Sequence, residues 1–253
     1  MLANKRLDKI TEVLYENGFV DIKELAKQLA VSEKTIRLDL DKLQETGILE
    51  RVHGGAKLKS IDNNYGPIAM RRYKYLEQKN AIALKALEYI DDNDIIYLDD
   101  GSTCLALAKV LNKKVTVISN DLSIINELSN KSNISLYIAG GEVRRNDASY
   151  ISVGGDTISF IKKHCVNKAF ISTSTISVDK GLMMFEHGDV SIKIAVIESA
   201  SKVICLADSS KFDNVAFNSF ADINEIDMFI TDGEISAKHK QMLKNAKAVI
   251  VTA

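Results

Sequence analysis

The sequence predicts an α/β protein in two parts: a small helical N-terminal domain that ends in a strand pair, and a larger domain built around a mostly parallel sheet. Two patterns carry this prediction. Apolar residues recur at helical spacing through residues 7–43 and then give way to a strand-turn-strand pattern. Beyond residue 73, short apolar runs alternate with helical patterns, which is typical of parallel strands covered by helices on both faces.

Three short amphipathic helices are predicted in the first 45 residues. Asn17-Gly18 is expected to end the first helix, because glycine tolerates the left-handed backbone needed there. Ser32 is expected to cap the free amides at the start of the third helix. The inward faces consist of Leu7, Ile10 and Leu14 in the first helix, Ile22, Leu25, Ala26 and Leu29 in the second, and Ile36, Leu40 and Leu43 in the third.

The outer face of the third helix is predicted to present Lys34, Thr35, Arg37 and Leu38, which lie opposite or beside Ile36 at 100° per residue. Such a face fits a recognition helix in the DNA major groove, with Lys and Arg for guanine or phosphate and apolar groups for a thymine methyl. An exposed Leu is also common on ordinary protein surfaces, so Leu38 is interpreted either as a base contact or as a surface residue without a role in DNA binding.

A small hairpin, the wing, is predicted behind the third helix. It comprises a strand over residues 48–52, a tight turn at Gly54-Gly55 and a returning strand over residues 56–58. Together with the third helix it forms a winged helix-turn-helix. An interaction or packing module without DNA contact remains an alternative. The predicted DNA-binding residues are Ser32, Lys34, Thr35, Arg37, Leu38, Arg51, His53 and Lys57.

Charge alone does not identify DNA as the partner, because residues 1–58 contain ten basic and ten acidic side chains. A neutral domain must gather its basic residues on one face to gain the counterion release that dominates nucleic-acid affinity. Self-association would double the number of phosphate contacts and so raise the affinity for DNA. A homo-oligomer, either a dimer or a tetramer, is therefore expected to bind a double-stranded DNA operator.

The whole chain has 253 residues, 46% of them hydrophobic, which suits one small and one medium domain. It has no apolar run long enough for a membrane span and no signal-peptide pattern, so no membrane partner and a cytoplasmic location are expected. The three cysteines are far apart and predicted to be buried, reduced thiols. The four histidines are scattered, so neither a metal site nor a cofactor is predicted.

A linker is predicted at residues 59–72, around the single proline, Pro67, between a domain at 1–58 and a domain at 73–253. The second domain is expected to open with a helix over residues 73–90 and to contain further helices near 104–111, 122–128, 189–199 and 236–244. Its predicted strands are residues 95–98, 115–119, 134–139, 169–172, 203–207, 228–231 and 248–251.

Ligands of parallel sheets bind beyond the carboxyl ends of the strands, and four of the predicted strand ends are polar. The first leads through Asp100, Gly101, Ser102 and Thr103 into a helix, and free amides at a helix start suit a phosphate. Each loop alone fits an ordinary cap or turn. Their convergence on one edge favours a small phosphorylated polyol. The other three ends contribute Asn120, then Gly140 and Gly141, and then Lys211.

The N-terminal residues resemble the signature of the DeoR family of bacterial transcriptional regulators. The resemblance lies in Thr35-Ile36-Arg37-Leu38-Asp39-Leu40, Leu43, Gly47-Ile48-Leu49, Arg51 and His53-Gly54-Gly55-Ala56. The family usually has a second Arg where this chain has Leu38. The operator is therefore expected to differ from those of relatives.

The second domain resembles the effector-binding domain of the same family. The matching residues are Lys79, Asp100-Gly101-Ser102-Thr103, Asn120, Gly140-Gly141, Gly181-Leu182, Lys193 and Asp208-Ser209-Ser210-Lys211. The resemblance implies a fold similar to ribose-5-phosphate isomerase that binds a phosphorylated sugar effector, and it adds Lys79 and Lys193 to the predicted site. Residues 172–176 depart from the Gly-rich turn of relatives, which leaves the identity of the sugar open.

An isomerase-like enzyme is the alternative function. Aldose-ketose isomerisation needs a carboxylate base beside the substrate carbon, and the loop over residues 172–176 holds Ser and Thr instead. Asp189 or Glu186 could approach from elsewhere, but both are better explained as surface or capping residues. The preferred prediction is a transcriptional regulator, and specifically a repressor of carbohydrate genes, without catalytic residues.

Overall fold

The computed structural model describes residues 3–45, 47, 49–58, 74–146, 149–185 and 190–253. The chain divides into two units, Met1–Lys74 and Tyr75–Ala253. The predicted linker, residues 59–72, lies outside the described residues, as do Glu186 and Asp189. None of the helices within the described ranges has the length and apolarity that a bilayer crossing requires.

The smaller unit is a winged helix-turn-helix, as predicted. Its helices are α1 (Ala3–Asn17), α2 (Ile22–Gln28) and α3 (Glu33–Glu45), and its strands are β1 (Phe19–Asp21), β2 (Leu49–Val52) and β3 (Gly55–Leu58). Gly18, with φ +71°, follows α1 as expected. Ile36 and Leu40 of α3 are fully buried in the common core.

Strand β1 was not predicted. It pairs antiparallel with β3, which also pairs with β2, so the wing is a three-stranded sheet in the order β1-β3-β2. Gly55 makes this pairing possible, because a Cβ atom there would lie 2.0 Å from the carbonyl oxygen of Val20. Phe19–Asp21 is too short for its alternation to indicate a strand, and its partner lies far along the chain.

The larger unit is built on a seven-stranded sheet in the order β15-β14-β12-β9-β4-β5-β6. Every neighbouring pair in it is parallel, which confirms the predicted fold class. All seven predicted strands occur, at β4 (Ile95–Leu98), β5 (Val115–Ser119), β6 (Ile134–Ile138), β9 (Lys168–Ile171), β12 (Val203–Leu206), β14 (Met228–Thr231) and β15 (Val249–Thr252).

Helices cover both faces of this sheet, with a buried apolar cluster on each side. They are α4 (Leu76–Leu87), α5 (Ser102–Val110), α6 (Leu122–Leu128), α7 (Gly155–Lys162), α8 (Val190–Ser199) and α9 (Ala237–Asn245). The predicted first helix, residues 73–90, is shorter at both ends than expected. Helix α7 was not predicted.

Two antiparallel additions were also missed by the sequence analysis. Strands β7 (Glu142–Asn146) and β8 (Ser149–Val153) form a hairpin, and β10 (Thr175–Ser177), β11 (Gly181–Met184) and β13 (Asn218–Ala221) form a three-stranded sheet. The thiols of Cys104 and Cys205 are buried as predicted, but that of Cys165 is exposed, so the prediction of three buried thiols is wrong there. Cys165 lies between α7 and β9, beyond the apolar core that encloses the other two.

The chain order of the strands creates a switch point. From β4 the chain builds β5 and then β6 on one side, and returns to add β9 and then β12 on the other side of β4. Loops leaving β4 and β9 therefore turn away in opposite directions, which opens a crevice at their carboxyl ends where ligands of such sheets bind.

Candidate functional site

The outer face of α3 has the exposed residues that the sequence predicts. Lys34, Arg37 and Leu38 are exposed and Thr35 is half-buried. Leu38 keeps 54% of its surface exposed, which is high for a large apolar side chain. Ser32 fixes the start of the helix, because its Oγ accepts a hydrogen bond of 3.1 Å from the Thr35 amide. The first two turns of α3 are thus the surface that can enter a groove.

Two ion pairs hold the guanidinium groups near this face. Arg37 pairs with Glu33 one turn earlier at 3.3 Å, in an exposed position. Arg51 on β2 donates from Nη1 to Asp41 Oδ1 at 2.6 Å and to the carbonyl oxygen of Arg37 at 3.1 Å. Arg51 therefore joins the wing to α3, and this internal role stands beside its predicted contact with DNA.

A buried ion pair that the sequence analysis missed also positions α3. Arg6 on α1 donates from Nε to Asp39 Oδ2 at 2.5 Å and from Nη2 to Asp39 Oδ1 at 3.1 Å. Hydrogen bonding to Asp39 raises the pKa of Arg6, so the guanidinium stays charged. The signal was available, because Asp39 lies three residues after Ile36, on the inner side of a helix where a lone carboxylate needs a partner.

The wing presents two more of the predicted DNA-binding residues. His53 is exposed in the turn between β2 and β3, where Gly54 adopts φ +80°. Lys57 on β3 is exposed and pairs with Glu50 across the hairpin at 3.1 Å. An exposed pair of this kind is weak, so phosphate can compete for the Lys57 ammonium.

In the larger unit, a buried charge cluster occupies the crevice at the switch point. Lys193 on α8 donates from Nζ to Asp99 Oδ2 and, at 3.0 Å, to Asp100 Oδ1. Ser172, which follows β9, donates from its amide to Asp99 Oδ2 at 2.9 Å and from its Oγ to the Asp100 carbonyl. The cluster therefore ties the loops after β4 and β9 to α8.

Electrostatics keep the Lys193 ammonium charged. Burial on its own would lower the pKa of Lys193, but the Asp100 and Asp99 carboxylates outweigh it and hold this pKa above its ordinary value. Burial raises the pKa of Asp99, and the Lys193 ammonium opposes the rise only in part. The Lys193 ammonium also lies 5.5 Å from the centre of the Phe220 ring.

The predicted anion cradle lies at the start of α5. Gly101 at the N-cap has φ +127° and no side chain to bond the first-turn amides. A Cβ atom there would lie 2.6 Å from Ser172 Oγ, so the position also requires glycine for space. Ser102 is half-buried and Thr103 buried, directly beside the charge cluster.

Other predicted effector residues have internal contacts. The Asn120 amide is buried, accepts from the Tyr97 hydroxyl at 2.8 Å and donates to the Ser152 carbonyl at 3.0 Å. A Cβ atom at Gly141 would lie 2.4 Å from Thr157 Oγ1, and Thr157 Oγ1 donates to the Gly140 carbonyl at 3.1 Å. These contacts hold the β7–β8 hairpin and α7 against the sheet, so the predicted effector role of these three residues draws no support from them.

Two lysines complete the predicted set. Lys79 is buried on α4, and Lys211 is half-buried in the turn after β12. That turn begins at Asp208, whose Oδ1 accepts from the amide and the hydroxyl of Ser210. Asp99, Ser172 and Asp208 were not among the predicted effector residues. Asp99 and Asp208 directly follow predicted strands, and Ser172 is the last residue of one. Their places at the carboxyl ends of strands were therefore the available signal.

Comparison with known proteins finds matches to the same family in both units of the chain. A family model described as a DeoR-like helix-turn-helix domain matches residues 6–62, and one described as the DeoR C terminal sensor domain matches residues 74–233. The glycerol-3-phosphate regulon repressor of Escherichia coli is 32% identical over 245 residues, 96% of each chain. The HTH-type transcriptional regulator GlpR of Haloferax volcanii is 30% identical over 253 residues, 99% of this chain and 98% of its own.

Two further similarities differ in weight. The HTH-type transcriptional repressor GlcR of Bacillus subtilis is 33% identical over 233 residues, 92% of this chain and 89% of its own. A solved structure of ribose 5-phosphate isomerase A from Methanocaldococcus jannaschii overlaps 54% of each chain at a TM-score of 0.39 and 18% identity. An overlap of that quality says nothing about activity.

Proposed function

We propose that this chain, which belongs to the DeoR family of transcriptional regulators, is a repressor whose grip on duplex DNA is controlled by a phosphorylated sugar or polyol. Family membership favours regulation over the isomerase-like alternative. Two of the relatives are named as repressors, one of them of a glycerol-3-phosphate regulon, which supports both parts of the proposal.

The observation that carries the DNA-binding part is the exposed outer face of α3. Lys34, Arg37 and Leu38 are exposed on a capped helix whose opposite side is fixed in the core, and the wing presents His53 and Lys57. Lys and Arg provide donors for guanine and phosphate, and Leu38 provides an apolar contact for a thymine methyl.

The effector part rests on the start of α5 and the cluster around Lys193. The helix start at Gly101, Ser102 and Thr103 suits a phosphate because no N-cap side chain bonds its first amides, and Lys211 lies in a turn at the same edge of the sheet. To move DNA from mostly bound to mostly free takes about 5.5 kcal/mol of differential affinity. Two or three charge-assisted contacts of about 1.5 to 3 kcal/mol each can supply it.

Self-association completes the proposal. A homo-oligomer brings two recognition helices to one operator, and an effector that changes how the larger units pack would change how those helices are presented.

A gel shift tests the DNA-binding part. The probe is a duplex enriched from a random library by the wild-type protein. Arg37→Ala should weaken binding at least tenfold, because it removes a charged donor from the groove-facing surface. Lys9→Ala is the matched control, since Lys9 lies on α1 and pairs with Glu12. Equal binding by all three proteins would remove α3 from the reading role, and no enrichment would favour an interaction module.

A second measurement tests the effector part. Lys211→Ala should spare DNA affinity but weaken the response to sugar phosphates. Lys109→Ala is the control, because Lys109 is exposed near the far end of α5, away from the carboxyl edge of the sheet. An intact response in Lys211→Ala would contradict the proposed site.

A further inference from the structure

Strand β7 is the outer strand of its hairpin and is exposed on both faces. Residues 142–145 are all exposed, whereas Ile151, Ser152 and Val153 of β8 are buried against the rest of the domain. Strand β7 pairs with β8, and the part of the chain that the structure describes provides no further strand for it. The domain therefore holds β8, and the second edge of β7 offers its backbone donors and acceptors to a partner.

Exposed apolar side chains accompany this edge. Val143 on β7 is 55% exposed and Tyr150 on β8 is 49% exposed. The pairing register places them on one face of the hairpin, because Tyr150 lies opposite Arg145, two residues beyond Val143. Tyr137 and Ile138, at the end of the edge strand β6 just before the hairpin, are exposed as well. Apolar surface of this kind beside an open strand edge is typical of a protein–protein contact.

The charged residues of β7 make its edge complementary to itself. In a two-fold symmetric contact, residue i of one copy meets residue j of the other, and j meets i. Antiparallel strands related by such an axis place the residue at the axis opposite itself. With Val143 at the axis, Glu142 lies opposite Arg144 of the second copy, and Arg144 lies opposite its Glu142. Opposite charges that face each other across two strands are stabilising.

Other registers of this pairing bring like charges together. An axis at Glu142 places two carboxylates opposite each other, and an axis at Arg144 or Arg145 does the same with two guanidinium groups. Among the exposed residues of β7, Val143 is thus the one position that serves as the axis without a like-charge pair. Within one chain, Glu142 and Arg144 pair at 3.5 Å in exposed positions, so this weak pair can exchange for pairs between copies.

The hairpin is fixed to the edge of the sheet where the effector is proposed to bind. The Ser152 amide donates to the Asn120 carbonyl at 2.8 Å, and the Asn120 side chain donates to the Ser152 carbonyl at 3.0 Å. Gly140 and Gly141, which directly precede β7, join it to β6. A shift of the loop after β5 would therefore move β8 and, through the hairpin, β7.

We propose that β7 pairs antiparallel with β7 of a second copy of this chain about a two-fold axis at Val143, so that the two hairpins form one four-stranded sheet. Two ion pairs of Glu142 with Arg144 then connect the copies, and Tyr150 adds apolar contact. The proposal rests on the self-association that the proposed function includes. It names the surface of the sensor domain that self-association uses, and it places that surface where a ligand at the sheet edge can act on it.

A single cysteine tests the position of the axis. Directly opposite residues of antiparallel strands have Cα atoms about 4.5 to 5.5 Å apart, within the range of a disulfide. Val143→Cys is made in a Cys165→Ser background, because Cys165 is the exposed native thiol and the other two are buried. Mild oxidation of the full chain should convert most of it to a covalent dimer on a non-reducing gel. Val249→Cys is the matched control, since Val249 on the edge strand β15 is 52% exposed, and this variant should stay largely monomeric on the gel.

Charge reversal tests the register independently. Glu142→Arg and Arg144→Glu each place like charges opposite each other at both pairs, so each should weaken self-association about tenfold in analytical ultracentrifugation. An equimolar mixture of the two variants restores opposite charges at both pairs of a heterodimer and should associate within about threefold of the wild type. Mixing would not repair a defect in folding. Lys162→Glu, which breaks an exposed ion pair with Glu198, is the control and should associate like the wild type.

The outcomes separate this surface from self-association itself. If the wild type is an oligomer and Val143→Cys gives no more covalent dimer than Val249→Cys, the axis at Val143 is overturned while self-association stands. If both charge variants associate like the wild type, or if their mixture is as weak as either alone, the pairing of Glu142 with Arg144 is overturned. If the wild type is monomeric with and without sugar phosphates and duplex DNA, both this proposal and the self-association in the proposed function are overturned.

Discussion

The contact between Arg51 and α3 leads to a prediction about how the wing contributes to DNA binding. Arg51 Nη1 donates to Asp41 at 2.6 Å and to the Arg37 carbonyl at 3.1 Å. The Asp41 side chain is 59% exposed, so the ion pair contributes only about 0.2 to 1 kcal/mol. With the bond to the carbonyl, the contact stabilises the position of α3 by about 1 to 2 kcal/mol.

Arg51→Gln should therefore weaken DNA binding about 5- to 30-fold, because the free protein would present the correctly placed helix less often. Asp41→Asn should reproduce part of this loss without touching DNA. The salt dependence distinguishes positioning from direct contact. Each lost phosphate contact reduces the slope of log affinity against log salt by about 0.9, whereas a lost positioning contact leaves the slope unchanged.

The assay is fluorescence anisotropy of the enriched duplex at several salt concentrations. Lys57→Gln serves as the comparison, since Lys57 is exposed on β3 and its predicted role is a phosphate contact. We expect the slope to fall for Lys57→Gln and to stay at the wild-type value for Arg51→Gln. An equal fall in both variants would refute the positioning role and make Arg51 a phosphate ligand.

Three further predictions follow from single positions. Leu38→Arg should change the preferred base pair at one operator position from thymine to guanine, and an unchanged consensus from library selection would refute a reading role. Gly55→Ala should lower the unfolding temperature of the smaller unit alone in calorimetry, because its Cβ would lie 2.0 Å from the Val20 carbonyl oxygen; a shift only in the other unit's transition would contradict this. Lys131 donates to three carbonyls at the end of α5, at 2.7, 2.7 and 3.0 Å. Lys131→Met should therefore lower the free energy of unfolding by about 1 to 2 kcal/mol in urea denaturation, whereas Lys109→Met should change it by nearly zero. Equal losses in the two variants would contradict the capping role of Lys131.

The parts of the fold that were predictable are those with a local signal. Each strand of the main sheet is apolar on both faces and bounded by turn residues, so a run such as Val203–Leu206 indicates a buried parallel strand without its neighbours. The recognition helix was equally clear, because its capping Ser and its apolar spacing lie within a dozen residues.

The missed parts depend on contacts that are distant in sequence. Strand β1 is defined by pairing Val20 with Ala56, and β13 by pairing Ser219 with Met183. Three- and four-residue strands are too short for alternation to be read, and their stabilisation comes from the partner strand. The same holds for the site. The engagement of Lys193 with Asp99 joins residues 94 positions apart, so spacing alone does not predict it.

The charges of the smaller unit explain why self-association belongs to the proposed function. Residues 1–58 contain ten basic and ten acidic side chains, and the structure uses two of the arginines internally. Arg6 is engaged by Asp39 and Arg51 by Asp41, whereas the exposed and weak pair of Lys57 with Glu50 leaves Lys57 available to phosphate. With two arginines engaged and no net positive charge over residues 1–58, one copy gains little from counterion release and depends on its base contacts for affinity. A second copy doubles both the phosphate contacts and the base contacts, and it adds a fixed half-site spacing. That spacing is a property that a ligand bound to the sensor domains can change.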